Sequence, residues 1–385
     1  MNMNIKQHII TACNAYAEIF NFACGKGVEE FHLMIHASNH ELTFGGQLKA
    51  IAHLYEDICK NELPTDACPV FKRYFVSDAA NQTSDICTYE ASNDSHSVSI
   101  VQQPPLDGTK IALWCYLQTK ITTKKNNSGL YESKHGSYKH FWNASAHIDA
   151  DSSENQTRLL LDEYVRQLDS EGCNLAENCV RTWFFVNDID NNYAGVVKGR
   201  NEVFDTQGLT KDTHFIASTG IGGRHSEHQT SVLLDNYAIS GIRPEQIKHL
   251  YAASHLNRTS EYGVRFERGT CVDYGDRRHV FISGTASIDN KGNIMYPGDI
   301  VRQTYRMWEN VEALLTEAEC TFEHVAQIIV YLRDTGDYSI VRKLFTERFP
   351  KKPVVIVWAP VCRPGWLIEM ECMGIVPANN SYEPL

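Results

Sequence analysis

The chain has 385 residues, 43% hydrophobic and 22% charged, a composition that excludes a disordered protein and a length that exceeds one ordinary core. Its 36 basic and 47 acidic residues give a formal net charge of −11, which opposes nucleic acid and anionic membranes, so an anionic ligand needs clustered arginines. Its 12 cysteines include no CxxC pair, which argues against a zinc ribbon or a thioredoxin motif and for free thiols in a reducing, cytoplasmic setting.

The opening MNMNIKQHIITACNAYAEIFNFACGKG interleaves polar with apolar residues, and no run in the chain is long enough to span a bilayer, so no export or membrane signal is expected. FHLMIHAS reads as a strand. GQLKAIAHLYEDICKNELPTDACPVFKRYFVSD then begins near Gln47 as an amphipathic helix, apolar at i, i+3, i+4 and i+7, and finishes as a β-rich strand ending at Asp78. ANQTSDICTYEASNDSHS reads as a polar loop, and VSIVQQPP and KIALWCYL as strands. The same order then recurs. YKHFWNASAHID is followed by NQTRLLLDEYVRQLDSEGCNLAENCVRTWFFVND, from Gln156 to Asp188, a helix YAGVVKGRNEVF, and strands HFIASTGIGG and SVLLDNYAI. In the third copy HVFISGTASID precedes RQTYRMWENVEALLTEAECTFEHVAQIIVYLRD, from Gln303 to Asp334, with a helix YSIVRKLFTERF and strands VVIVWAP and WLIEMECMGI after it.

The glutamine-to-aspartate spacing is constant to within one residue, which predicts three equivalent units. Each is a small antiparallel or mixed sheet covered on one face by helices, so the fold class is α+β, with units at 1–125, 126–245 and 246–385. The first is degenerate, because the segment after Asp78 lacks the second helix.

Two motifs invite chemistry. In STGIGGRHSEH, glycines 220, 222 and 223 fit neither GxxxxGK[ST] nor GxGxxG, and the pair His225 and His228, with Glu227 between them, is accompanied by no further spaced ligand and no PCxxC partner, so the segment reads as a polar loop without nucleotide or metal. On the last strand Leu367, Glu369, Glu371 and Met373 share one face, so two carboxylates lie side by side. Such a pair either raises the pKa of one member or joins a structural ion-pair network, with Arg302 or Arg306 as candidate partners.

The stretch from FISGTASIDNKG to IVYLRD, followed by WLIEMECMGI, resembles the RidA/YjgF family. That resemblance implies a chorismate-mutase-like βαβ fold that assembles as a trimer with sites between subunits. Three copies in one chain imply a pseudo-trimer, monomeric or further assembled into a homo-oligomer. The deaminases of the family hold a substrate carboxylate with an arginine fifteen residues before the glutamate of the last strand, and counting back from Glu369 gives Val354. A second resemblance runs through RTWFFVNDIDNNYAGVVKGRNEVF, ASTGIGG, SEYGVRFERG and VCRPGWLIEMEC, which are similar in order to the motifs of the chorismatases. It implies a cofactor-free hydrolase or lyase that removes the enolpyruvyl group of chorismate as pyruvate, leaving a hydroxybenzoate-type or dihydroxycyclohexadiene carboxylate product.

On that resemblance Glu369 is the catalytic acid and Glu371 tunes its pKa, in a cleft between the second and third units. Arg200, Arg268 and Arg342 bind the substrate carboxylates, with lone surface arginines as the plainer reading. Cys362, whose position implies a 3-hydroxybenzoate product, lines the pocket or is simply a small buried hydrophobe. Gly284 forms the pocket floor or marks a strand bend, and Thr219 faces the ligand. The competing functions are a RidA-type imine or enamine hydrolase and a catalytically silent small-metabolite-binding protein.

Overall fold

The computed structural model describes residues 3–25, 27–92 and 94–385; Asn93, within the predicted polar loop, lies outside them. Three six-stranded mixed sheets follow one another along the chain. The first comprises β1 (Met3–Ala12), β2 (Ala15–Cys24), β3 (Glu30–Ala37), β4 (Cys68–Val76), β5 (Ser97–Gln102) and β6 (Ile111–Gln118), with helices α1 (Phe44–Asn61) and α2 (Ala79–Tyr89). The second comprises β7 (Thr122–Lys125), β8 (Tyr131–His135), β9 (Tyr138–Ala146), β10 (Cys179–Val186), β11 (Ala217–Gly222) and β12 (Val232–Ser240), with α3 (Ser153–Ser170), a single turn α4 (Leu175–Asn178) and α5 (Ile189–Thr206). It begins at Thr122, ahead of the boundary read at 125/126. The third comprises β13 (Ile247–Leu250), β14 (Gly269–Asp273), β15 (Arg277–Ala286), β16 (Val325–Leu332), β17 (Val354–Trp358) and β18 (Ile368–Pro377), with α6 (Ile300–Glu317) and α7 (Tyr338–Arg348).

The strand orders β1-β2-β3-β6-β4-β5, β7-β8-β9-β12-β10-β11 and β13-β14-β15-β18-β16-β17 are the same order written three times. In each unit only the outer pair after the second helix is parallel (β4·β5, β10·β11, β16·β17), as a helical crossover requires. The N-terminal hairpin strand pairs β1–β2, β7–β8 and β13–β14 extend each sheet beyond the strands expected from sequence.

The repeated glutamine has a structural cause. Gln47, Gln156 and Gln303 are at most 1% exposed in the first turn of α1, α3 and α6. Each amide nitrogen donates to loop carbonyls, of Asn39 and Leu42, of Ala150 and Gln229, and of Tyr296 and Gly365. Each amide oxygen accepts a backbone N–H at the start of the unit's last strand, from Lys110, from Ser231 and Val232, and from Leu367. The side chain thus ties helix, loop and strand together and satisfies buried backbone groups that would otherwise be orphaned. The helices themselves are N-capped by Thr43, Ser152 and Asp299.

One expectation fails in the first unit. The segment after Asp78, read as a polar loop, forms α2, so all three units carry a second helix. Only Ala79, Gln82 and Ile86 of α2 are buried, too thin an apolar stripe to register as helical periodicity. Tertiary packing and the hydrogen bond from Asp78 N–H to Gln82 Oε1 hold it instead.

The sheets meet at a shared core containing Phe71, Trp114, Trp142, Trp183, Tyr237 and Phe281. Within it Arg73 donates to Asp235 at 2.8 Å, joining the first two units, and Arg181 donates to Glu371 at 2.8 Å, joining the second and third. All 12 cysteines are free thiols. Among the described residues no helix is long and apolar enough to cross a membrane.

Candidate active site

The two glutamates of β18 occupy different environments. Glu371 is saturated: it accepts from Arg181 Nη2 at 2.8 Å, Trp183 Nε1 at 2.7 Å and the Thr219 hydroxyl at 2.5 Å, and Arg73 Nη1 lies 3.9 Å away. It is the anion of a buried network that ties three units together. Glu369, two residues earlier on the same face, instead lines a cavity of about 340 Å³ between the second and third units. Arg302 and Arg306 serve neither carboxylate, since Arg306 pairs with Glu309 and Arg302 lies over the Tyr296 ring.

Glu369 is 5% exposed, and burial followed by the charge of Glu371 pushes its carboxyl up to about 8, against the lowering influence of Arg268 and Arg181. Near neutral pH it is therefore a protonated acid opening on a cavity. Gly284, on β15, makes room for it. A Cβ at that position would overlap Glu369 Oε1 and come within 3.0 Å of Thr219 Cγ2, so any side chain there would displace the carboxyl.

The cavity walls come from both units. Tyr193, Ala194, Val197 and Arg200 of α5 and Ser218 and Gly220 of β11 form one side. Gly284 and Ala286 of β15, Phe266 and Arg268 ahead of β14, and Cys362, Arg363 and Trp366 ahead of β18 form the other. Arg268 is fixed by hydrogen bonds to Asn257 O and Oδ1, and Arg200 lies buried over the Phe184 and Phe204 rings. Burial, then the charge of Glu369, push the Cys362 thiol up to about 12, so it is a neutral wall group and not a thiolate.

Two expected site residues lie elsewhere. Thr219 does not face the cavity, because side chains alternate along β11. Ser218 and Gly220 line it, while the Thr219 side chain lies on the opposite face, bonded to Glu371, Arg181 and the Gly284 N–H. Arg342 lines a separate cleft of about 100 Å³ between the third and first units, with Tyr16, Glu18, His36 and Asp107. The repeat itself dictates this: α5 and α7 are equivalent helices of successive units, so they face successive clefts. A third guanidinium does reach the Glu369 cavity, from Arg363, which sits 4.8 Å over the Trp366 ring. It stands next to Cys362 in VCRPGW, and that adjacency was the available signal.

Equivalent registers show how the units diverged. Phe75, Phe185 and Tyr331, each three residues before the aspartate that ends its unit's helix–strand repeat, pair with Ala112, Leu233 and Glu369. An acid therefore stands at this position in the third unit alone.

Comparison with known proteins agrees with this architecture. The family model described as Endoribonuclease L-PSP matches residues 270–376. A RutC family protein of Pyrococcus abyssi is 33% identical over 97 residues, 25% of this chain and 76% of the relative. The chain belongs to the RidA/YjgF superfamily. Another relative in this superfamily, the 3-aminoacrylate deaminase RutC of Acinetobacter baylyi, is 27% identical over 99 residues, covering 25% of this chain and 79% of the relative. A crystal structure of chorismatase superposes with a TM-score of 0.62 at 19% identity, covering 80% of this chain and 92% of that one. The likeness is one of fold, over most of both chains.

Proposed function

We propose that the cleft between the second and third units removes the enolpyruvyl group of chorismate as pyruvate, without a cofactor. The observation that carries this reading is a carboxylic acid held protonated near neutral pH in a cavity lined by Arg200, Arg268 and Arg363. Its volume is within the roughly 300–1,000 Å³ of small-molecule sites. Guanidinium groups suit a substrate with two carboxylates, which an acidic protein would otherwise repel. The chorismatase likeness in fold supports the same substrate class.

In this mechanism Glu369 transfers its proton to the terminal methylene carbon of the enol ether, and the former enol carbon becomes an oxocarbenium ion. Addition of water to that carbon gives a hemiketal, whose collapse releases pyruvate and the ring alcohol. The proton lost by the water restores Glu369. Capture by the neighbouring ring hydroxyl in place of water gives a cyclic ketal; breaking its bond to the ether oxygen and the ring C–O bond of the capturing hydroxyl releases pyruvate, and loss of a ring proton to the Glu369 carboxylate leaves the aromatic hydroxybenzoate-type product. Glu371, held by Arg181, keeps a negative charge beside Glu369 and so favours its protonated form. Gly284 gives the carboxyl its place, and Cys362 shapes the wall.

A second reading, hydrolysis of an imine or enamine, is favoured by the 3-aminoacrylate deaminase among the relatives. It needs a carboxylate-binding arginine on the strand facing the glutamate. Val354 faces the other cleft, and its register equivalent at the Glu369 cavity is Ser218, so neither position supplies that arginine. Incubating the protein with chorismate and with 2-aminoacrylate, following pyruvate and identifying the aromatic product by mass, separates the two. Pyruvate from chorismate with an equimolar ring product supports the first, and pyruvate from 2-aminoacrylate alone overturns it.

A further inference from the structure

The loop after β11 holds His225 and Glu227, and the fold supplies the ligand that the sequence lacked. His147, just beyond β9, brings its imidazole against them. Its ring centroid lies 4.0 Å from that of His225, and its Nε2 lies 3.8 Å from Glu227 Oε1. One ligand atom from each of the three residues lies within 4.8 Å of the others, and among the described residues no other trio of His, Cys, Asp or Glu does so. His228 is not part of the group.

We propose that His147, His225 and Glu227 form a binding site for one divalent transition ion of the zinc type. His147 Nδ1 lies 3.0 Å from the Ser145 carbonyl, to which it can only donate, and this hydrogen bond leaves Nε2 as the nitrogen turned toward Glu227. This is the outer-sphere arrangement that orients a ligating histidine. Zinc bonds of about 2.0–2.2 Å in tetrahedral geometry set ligand atoms about 3.3 Å apart. The ligand atoms, all within 4.8 Å of one another, must therefore contract by up to roughly 1.5 Å on binding, an adjustment for which the exposed Glu227 side chain is placed. Two imidazoles and one carboxylate leave a fourth position for water and favour zinc-like ions over the oxygen-seeking magnesium and calcium.

The bound ion joins the segment after β9 to the loop after β11, beside the hydrogen bond from Gln102 N–H to the Arg224 carbonyl that links the first two units. It thereby pins the exit of β11, whose Ser218 and Gly220 line the Glu369 cavity.

Titration calorimetry of the purified full chain with Zn²⁺, and separately with Mg²⁺, tests the site. One equivalent of Zn²⁺ and no Mg²⁺ should bind. His147→Ala and His225→Ala should each weaken Zn²⁺ binding at least about tenfold, since loss of a ligand costs no less than loss of an outer partner. Glu227→Gln should weaken it too, His228→Ala should leave it unchanged, and melting curves of the metal-free variants should match the parent. Absence of Zn²⁺ binding, binding unchanged in both His147→Ala and His225→Ala, or an equal loss in His228→Ala would overturn the proposal.

Discussion

Two clefts of this molecule are built from equivalent elements and have opposite chemistry. Between the second and third units, α5 and β11 face β15 and β18 around Glu369, with Arg200, Arg268 and Arg363. Between the third and first units, α7 and β17 face the first sheet around Glu18, His36 and Asp107, with Arg342 exposed at the edge. In that second cleft His36 lies 3.6 Å from Glu18 and 3.9 Å from Asp107, and the carboxyls find partners within the protein. The position equivalent to Glu369 is Ala112. Topology thus determines where clefts form, and a few side chains decide which cleft can do acid chemistry.

Substitutions in one cleft should therefore leave a signature that those in the other do not. The largest effect is expected for Glu369→Gln, which keeps the shape and removes the transferable proton. Turnover should fall by about 10²–10⁴ with little change in binding. Because the folded-state pKa of Glu369 is raised, the group favours folding below its unfolded value, and that contribution is lost as pH rises toward about 8. Glu369→Gln should accordingly melt higher than the parent at pH 8, which scanning calorimetry would read.

Glu371→Gln comes next, and its effect should be on stability. It leaves Arg181 without its ion pair in the core, at a cost of about 3 kcal/mol or more in denaturant unfolding. Unchanged unfolding stability would mean that the network is dispensable to the fold, whatever the change in activity. Gly284→Ala should lower turnover by about 10²-fold by displacing the acid, with a smaller loss of stability. Smallest are the arginines: Arg268→Ala or Arg363→Ala should reduce kcat/KM by about 10- to 100-fold, as loss of a charge-assisted contact implies. Arg342→Ala, in the other cleft, should leave kcat/KM unchanged.

The repeat was legible because the helix–strand spacing is a local constraint that sequence displays and each copy keeps the glutamine, although the bonds that glutamine makes to the last strand of its unit are distant in sequence. Helix α2 was hidden because it buries only three side chains, and the N-terminal hairpins because their polar residues blurred the alternation. The Glu369–Glu371 pair followed from strand periodicity alone, but its division into a free acid and a network anion depends on Arg181 and Trp183, which lie nearly half a chain away in sequence. The error at Arg342 came from reading repeat-equivalent arginines as convergent, when equivalence by pseudo-threefold symmetry sends them to different clefts. Thr219 was misplaced by one residue of strand register, which turns a side chain to the opposite face.

The central claim is that Glu369 acts as a protonated acid in the cleft between the second and third units, and the pH dependence of pyruvate release from chorismate tests it most directly. Turnover by the parent protein should hold near neutral pH and fall as pH rises through about 8, following deprotonation of Glu369, and Glu369→Gln should show no such limb on its residual rate. A parent profile that stays flat through pH 8, or an alkaline limb that persists unchanged in Glu369→Gln, would contradict the account.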